Sequence, residues 1–291
     1  MKSIVAGECV QLSKLVRRIT APNPGVMTGP GTNSYLIGRQ QIAVVDPGPA
    51  DPSHIAAILK ACNGKLKWIL VTHTHLDHSP AAQQLAQQTG AQLLGNVLAQ
   101  NDGYQDESFK PSHSFQHDEL FVCSEFSLRA LHTPGHVNNH LCFLLEQEGL
   151  LLAGDHIMQG STVVIIPPHG DMQAYMASLS LLLHYTIDAI APAHGHIITE
   201  PVAEIEALLQ HRLGREQQLI ATLQQLSPAS LAQLTAQVYR NVDSALHPIA
   251  QLSLWAHLLK LEKESVVNCQ QDRWQLHDSM NDKTTNKGEI L

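Results

Sequence analysis

Four side chains able to bind a metal, His73, His75, Asp77 and His78, fall within six residues of the stretch Val71-Thr72-His73-Thr74-His75-Leu76-Asp77-His78-Ser79. Side chains alternate along an extended segment, so His73 and His75 share one side, while Asp77 and His78 come where the chain turns toward a helix. Two groups of ligands can thus face one cavity. His136, Asp155 and His194 recur in the same kind of place, each just past a short apolar run. A lone histidine after a strand is usually a hydrogen-bonded structural residue. Five imidazoles and two carboxylates cannot share a buried cavity at neutral pH without a cation to balance them. Nitrogen ligands with hard carboxylates and no thiolate suit zinc, with manganese or iron as alternatives. Two such cations about 3.5–4 Å apart could share a hydroxide, bring its pKa toward neutrality and stabilise charge on the attacked centre. Asp77 could orient that hydroxide or carry its proton. No Ser or Cys nucleophile with a base beside it competes with this chemistry.

The elements that must position these residues read as strands first, then strands and helices in alternation. Trp68-Ile69-Leu70-Val71 is a short apolar run rich in β-formers and predicts a buried strand ending at the first histidine. Ser79 is placed as the N-cap of a helix with Pro80 in its first turn and Gly90 closing it. Further strands are expected in residues 2–20, 34–37, 42–45, 93–94, 128–131, 141–145, 150–153 and 187–191. Helices are expected from Pro52 to Cys62, Met172 to His184 and Pro201 to Leu226. This is an α/β domain with helices covering the sheets. The glycine-rich Thr28-Gly29-Pro30-Gly31-Thr32-Asn33 is either a plain turn or an anion cradle. Residues 96–119, polar and irregular, read as a lid or a mobile surface segment. Beyond Ser227-Pro228, two short helices (230–238 and 249–262) and a hairpin outline a small winged-helix unit, and residues 278–288 read as a disordered tail.

A chain of 291 residues can bury a large core without metal staples. The formal charge of -8 argues against wrapping nucleic acid over the whole surface. Five scattered cysteines without C-x-x-C spacing look like free thiols in a reducing compartment. With no signal-like N-terminus and no apolar stretch of bilayer length, a cytoplasmic, non-membrane protein is expected; its oligomeric state is left open. The 18 histidines are a heavy load and direct attention to metal sites.

At this point the sequence resembles the metallo-β-lactamase superfamily, whose signature T-H-x-H-x-D-H, T-P-G-H, G-D and final histidine are all present between Ser34 and Gly195. Within it, Thr28–Tyr35, Pro167-Pro168-His169-Gly170-Asp171-Met172, His211–Glu216 and Trp255–Leu261 look like the branch of β-lactamase-like protein 2, which extends the resemblance over nearly the whole chain. The resemblance implies a four-layer αβ/βα sandwich over 1–226, including the linking helix 201–226, with a winged-helix-like domain at 227–277 and the tail at 278–291. It also implies that His73, His75 and His136 hold one metal, that Asp77, His78 and His194 hold the second, and that Asp155 bridges them. The branch usually carries an acidic residue at Asn139 and an aspartate at His169, so this chain departs from it there.

Around that centre, His140 is a candidate donor to a substrate oxyanion, and Asp46 and Asn33 are candidates for supporting the site or touching substrate. His196 reads as a packing residue, and His113 and His117 as surface histidines. His211, Arg212 and Arg215 are a solvated helix face or a phosphate-positioning patch. The leading expectation is a dinuclear zinc hydrolase using a metal-bound hydroxide on a phosphodiester such as single-stranded RNA. Alternatives are a thioester or acyl hydrolase of the glyoxalase-II type acting on a small molecule, and a nucleic-acid-binding module with a vestigial metal site.

Overall fold

The computed structural model describes residues 3–98 and 103–277; the tail expected to be disordered lies outside the described residues. Six strands form one sheet in sequence order: β1 (Cys9–Gln11), β2 (Val16–Thr20), β3 (Asn33–Ile37), β4 (Ile42–Val45), β5 (Leu66–Val71) and β6 (Gln92–Gly95). The parallel pairs β4/β5 and β5/β6 are joined by α1 (Pro52–Cys62) and α2 (Ala81–Thr89). Five strands form a second sheet: β7 (Glu119–Val122), β8 (Ser127–His132), β9 (Leu141–Leu145), β10 (Leu150–Gly154) and β11 (Ala189–Pro192), ordered β11-β10-β9-β8-β7. Between β10 and its parallel neighbour β11 the chain passes through α3 (Met172–Leu182).

Strand periodicity explains the layering. Along β4, Ile42 and Val44 join α1 and α2 in one core, while Ala43 and Val45 face the other sheet. Along β10, Leu150 and Leu152 meet that sheet, while Leu151 and Ala153 pack with α3. Both faces of each central strand are therefore buried, which is why the strands read as unbroken apolar runs. The result is helix, sheet, sheet, helix.

The long helix α4 (Pro201–Leu226) joins two cores. Ile205 and Leu208 pack with α3, whereas Leu219 and Leu223 pack with α5 (Leu231–Val238), α6 (His247–Lys263) and the hairpin β12 (Val267–Gln270) and β13 (Arg273–Leu276). Ser230 and Gln233 form a reciprocal capping box at the start of α5. Ala256 of α6 reaches back into the α3 core. No helix among the described residues is long and apolar enough to cross a membrane.

Three local expectations are corrected. Ser79 does not cap α2: its hydroxyl donates to Asp106 Oδ2 at 2.8 Å, and the helix starts without a side-chain cap. Residues 2–20 hold two strands, and β7 lies at the end of the long loop where none was expected. The described part of that loop is tied down. Asp106 N bonds Thr74 O at 2.6 Å, Gly95 N bonds His113 O at 3.0 Å, and Phe109 and Phe115 are buried.

Candidate metal centre

The ends of β4, β5, β10 and β11, and the turn between β8 and β9, deliver Asp46, His73, Asp155, His194 and His136 to one edge of the two sheets. The seven residues predicted to bind metal fall into overlapping groups: His73, His75 and His136; His73, His78 and Asp155; Asp77, His78 and His194. In the first group, His75 Nδ1 lies 2.9 Å from His73 Nε2 and 3.0 Å from His136 Nε2. Tetrahedral ligands at zinc distances of 2.0–2.1 Å stand about 3.3 Å apart, close to this spacing. Two of the three rings, His73 and His136, are oriented from behind. Thr72 Oγ1 donates to Asp46 Oδ2 at 2.8 Å, so it accepts from His73 Nδ1 at 3.0 Å and leaves His73 Nε2 as a bare lone pair. His136 Nδ1 donates to Val164 O at 2.8 Å with the same effect.

In the second group, Asp77 Oδ2 is 3.4 Å from both His78 Nε2 and His194 Nε2. Asp155 faces both groups: Oδ1 is 3.4 Å from His78 Nε2 and 3.2 Å from His194 Nε2, and Oδ2 is 3.7 Å from His136 Nε2. His78 Nε2 and Asp155 Oδ1 are buried without a hydrogen-bond partner. Orphaned polar atoms of this kind are costly unless something binds them. The donor set fits a pair of cations with Asp155 between them.

The two groups differ electrostatically. Burial, then the neighbouring imidazoles, push His73 well below its ordinary value and His75 to about 3, and burial also lowers His136. These rings are neutral and ready to bind. For His78 and His194 burial also pulls downward, but the carboxylates Asp77 and Asp155 outweigh it, raising His78 and taking His194 to about 10. Asp77 is buried, which would raise it, yet His78 and His194 hold it near 2. Protons occupy in this group the place that a cation would take.

Supporting residues are partly as expected. Asp46, at φ 51°, accepts from Thr72 N at 2.7 Å, from Thr72 Oγ1 and from His78 Nδ1 at 3.0 Å, so one carboxylate steadies both groups. Asn33 is fully buried and holds the His194 turn through Pro192 O and Gly195 O, which leaves it out of reach of substrate. His140 is a correction. Its Nε2 accepts from Asp155 N at 3.2 Å, so Nδ1 carries the proton and donates to Thr133 Oγ1 at 2.9 Å. No donor remains for an oxyanion, and the ring instead positions Asp155. Sequence reasoning missed Thr72, Thr133 and Thr32, whose Oγ1 donates to Asp77 Oδ2 at 3.1 Å. Their only signal is a hydroxyl beside or facing a ligand.

The anion-cradle reading of residues 28–33 is also corrected. Gly29 N, Gly31 N, Thr32 N and Asn33 N are all spent on Gly25 O, Thr28 O, Asn23 Oδ1 and Ala193 O, while Gly31 O accepts from His194 Nδ1. The basic cluster is no phosphate patch. Arg212 is buried over the Tyr175 ring, half-buried Arg215 stacks 4.2 Å from the Tyr239 ring centre, and His211 is exposed. Asn139 donates to Thr74 Oγ1 and Asn96 O, a pair of acceptors that a carboxylate in its place would repel. His113 pairs with Glu119, His117 accepts from His132 N, and half-buried His169 belongs to none of the candidate ligand groups. Beside His194 opens a cavity of about 410 Å³ lined by Ile4, Val26, Met27, Pro30 and Met158 together with the polar Gln159, Ser161 and His196, with no Lys or Arg among its described lining residues. Val26 is 84% exposed and Met27 47%.

Comparison with known proteins decides the family. The family model described as "Metallo-beta-lactamase superfamily" matches residues 27–194, and "Beta-lactamase associated winged helix domain" matches residues 230–274. This chain belongs to the metallo-β-lactamase superfamily. It is 31% identical over 275 residues to a "Beta-lactamase-like protein 2 homolog" of Drosophila melanogaster, covering 87% of this chain and 90% of that one. It is 32% identical over 221 residues to an "Atrochrysone carboxyl ACP thioesterase" of Aspergillus chevalieri, covering 74% of this chain and 68% of that protein. The fold matches a β-lactamase domain protein from Burkholderia ambifaria with a TM-score of 0.77 at 18% identity, over 94% and 95% of the two chains. As a superfamily member the chain is a hydrolase with a metal-binding fold and a winged-helix domain.

Proposed function

We propose that this protein is a dinuclear metal-dependent hydrolase of thioesters or related acyl compounds with an apolar acyl group. The observation that carries the reading is the cavity running from His194 past Val26, Met27, Pro30 and Met158, whose apolar side suits an acyl chain while Gln159 and Ser161 supply polar groups beside it. The expected nucleic-acid substrate has less support, since Arg212 and Arg215 are committed to packing. Two zinc ions would be held by His73, His75 and His136 on one side and by Asp77, His78 and His194 on the other, with Asp155 between. Manganese or iron would meet the same donors. When bound, the cations would polarise the scissile carbonyl and acidify water.

The chain's own residues then do the positioning and the proton handling. Thr32 holds the Asp77 carboxylate, whose side chain keeps 28% exposure and can take a proton from water and pass it to the leaving group. With His140 committed to Thr133 and Asp155, proton delivery rests on Asp77. That arrangement suits a leaving group as weakly basic as a thiolate, with a pKa of about 8.5, better than an alkoxide. The relative from Aspergillus chevalieri whose name includes thioesterase points the same way.

The test is turnover of acyl thioesters of increasing chain length, bis(p-nitrophenyl) phosphate and single-stranded RNA by the zinc-loaded protein, with Asp77→Ala as the blank. Thioester turnover rising with chain length is expected. Turnover of the phosphodiester or the RNA alone would overturn the acyl reading.

A further inference from the structure

Three consecutive residues between β10 and α3, Val163, Val164 and Ile165, connect the metal centre to the C-terminal helices. Val164 O accepts the proton of His136 Nδ1 at 2.8 Å, and Ile165 N donates to Ser253 Oγ of α6 at 3.3 Å. These two groups belong to the same peptide unit. A trans peptide is planar, with its C=O and N–H pointing in opposite directions. His136 and Ser253 therefore grip opposite ends of one rigid plate, and Ser253 fixes the direction in which the carbonyl meets the imidazole. The preceding carbonyl, Val163 O, accepts from Arg212 Nη2 of α4 at 2.7 Å. Arg212 and Ser253 are both buried, and the side chains of Val163 and Ile165 anchor the plate in the α3 core.

A second set of contacts braces the backbone of His136 itself. Arg212 lies 5.1 Å from the centre of the Tyr175 ring, and Tyr175 sits so close to Gly135 that a Cβ there would come within 2.4 Å of its Cα. Asp171 N donates to Gly135 O at 2.8 Å, and the Asp171 carboxylate pairs with Lys263 Nζ at 2.6 Å, near the end of α6. The residue before His136 is thus pressed against α3, and α3 is held in turn by α4 and α6.

We propose that Arg212 and Ser253 are positioning residues for His136, so that the linking helix and the winged-helix domain set the metal affinity of the three-histidine half of the centre. The inference rests on the metal-centre reading above. Its physical basis is that the group behind a ligating imidazole fixes the tautomer and the ring plane, and losing it typically lowers metal affinity 10–100-fold. Donation from Ile165 N to Ser253 also polarises the peptide and makes Val164 O the better acceptor.

The test uses the full chain, freed of metal and titrated with cobalt(II) chloride, following bound cobalt and its visible absorption spectrum. Wild type is expected to bind two equivalents. Ser253→Ala is expected to weaken one of them about tenfold and alter its absorption band, while Ser253→Thr, which keeps the oxygen, restores both. Arg212→Met is expected to act in the same direction. Arg215→Met, which removes a stacked arginine on the same helix away from the plate, should leave cobalt binding unchanged. If Arg212→Met does not fold, Ser253→Ala decides. Two equivalents bound by Ser253→Ala with wild-type affinity and spectrum would overturn the proposal. Fewer than two bound by wild type would instead overturn the metal-centre reading beneath it.

Discussion

Replacing Asp46 with asparagine isolates the role of one carboxylate. The backbone at Asp46 is left-handed, φ 51°, a conformation that asparagine tolerates nearly as well as aspartate. The side chains are the same size, so the substitution changes hydrogen-bond chemistry and removes the negative charge that faces His78, without altering the packing. Asp46 receives three donors: Thr72 N at 2.7 Å, Thr72 Oγ1 at 2.8 Å and His78 Nδ1 at 3.0 Å. An amide has one oxygen, so whichever way the new side chain turned, its NH2 would face at least one of these donors. Hydrogen bonds to a charged group contribute about 1.5–3 kcal/mol each, and a buried donor left unmet adds a similar cost. Asp46→Asn should therefore lose about 2–4 kcal/mol in urea unfolding of the metal-free protein. Because the same carboxylate orients His78 directly and His73 through Thr72, zinc affinity should fall by about 10–100-fold, read by competition with a chromogenic chelator. Wild-type stability together with wild-type zinc affinity would refute the argument that Asp46 organises the centre.

Zinc uptake should release protons, because His78 is raised and His194 stands at about 10, so both are protonated at pH 7 in the free protein and must become neutral to bind. Calorimetry in buffers of different ionisation enthalpy should show at least one proton released per chain, and the apparent affinity should rise with pH; heats that do not depend on the buffer would contradict this. Without metal, the raised His194 stabilises the fold fully below its unfolded value of about 6.5, and that contribution is lost as pH climbs through 10. Chelated protein should thus lose stability across that window in urea titrations. Gly154→Ala should abolish tight zinc binding, since a Cβ at φ 50° would meet Thr72 Oγ1 at 2.6 Å and His140 Nε2 at 2.7 Å; an unchanged rise in melting temperature on adding zinc would count against it. Met27→Asp should raise KM for a long-chain thioester by about 10–100-fold, the value of burying one Met side chain, with little change in kcat; an equal fall in both would place Met27 elsewhere in the cycle.

The strands and the seven candidate ligands were legible because both are written locally. Apolar runs such as Trp68–Val71 and Leu150–Ala153 end at chemically distinctive residues, and those ends meet wherever parallel and antiparallel strands stop at one edge of the sheets. The roles of neighbouring polar residues were not legible, because they depend on the third dimension. His140 looks like a donor in the sequence, yet Asp155 N claims its free lone pair. Arg212 and Arg215 look like a surface patch, yet each covers an aromatic ring. The groups orienting His136 and His194 include the carbonyls of Val164 and Gly31, which any residue would supply, so their positions leave no mark in the sequence. Ser79 shows the same limit locally: a good capping residue was drawn away by Asp106.

The most direct measurement is to add zinc stepwise to the metal-free protein and to follow bound zinc and thioester hydrolysis in the same samples. Three neutral histidines and a second, proton-filled group bridged by Asp155 predict that hydrolysis appears as the second equivalent binds and levels off at two per chain. Full activity at one equivalent, or in the presence of excess chelator, would contradict a two-cation centre as the source of the chemistry.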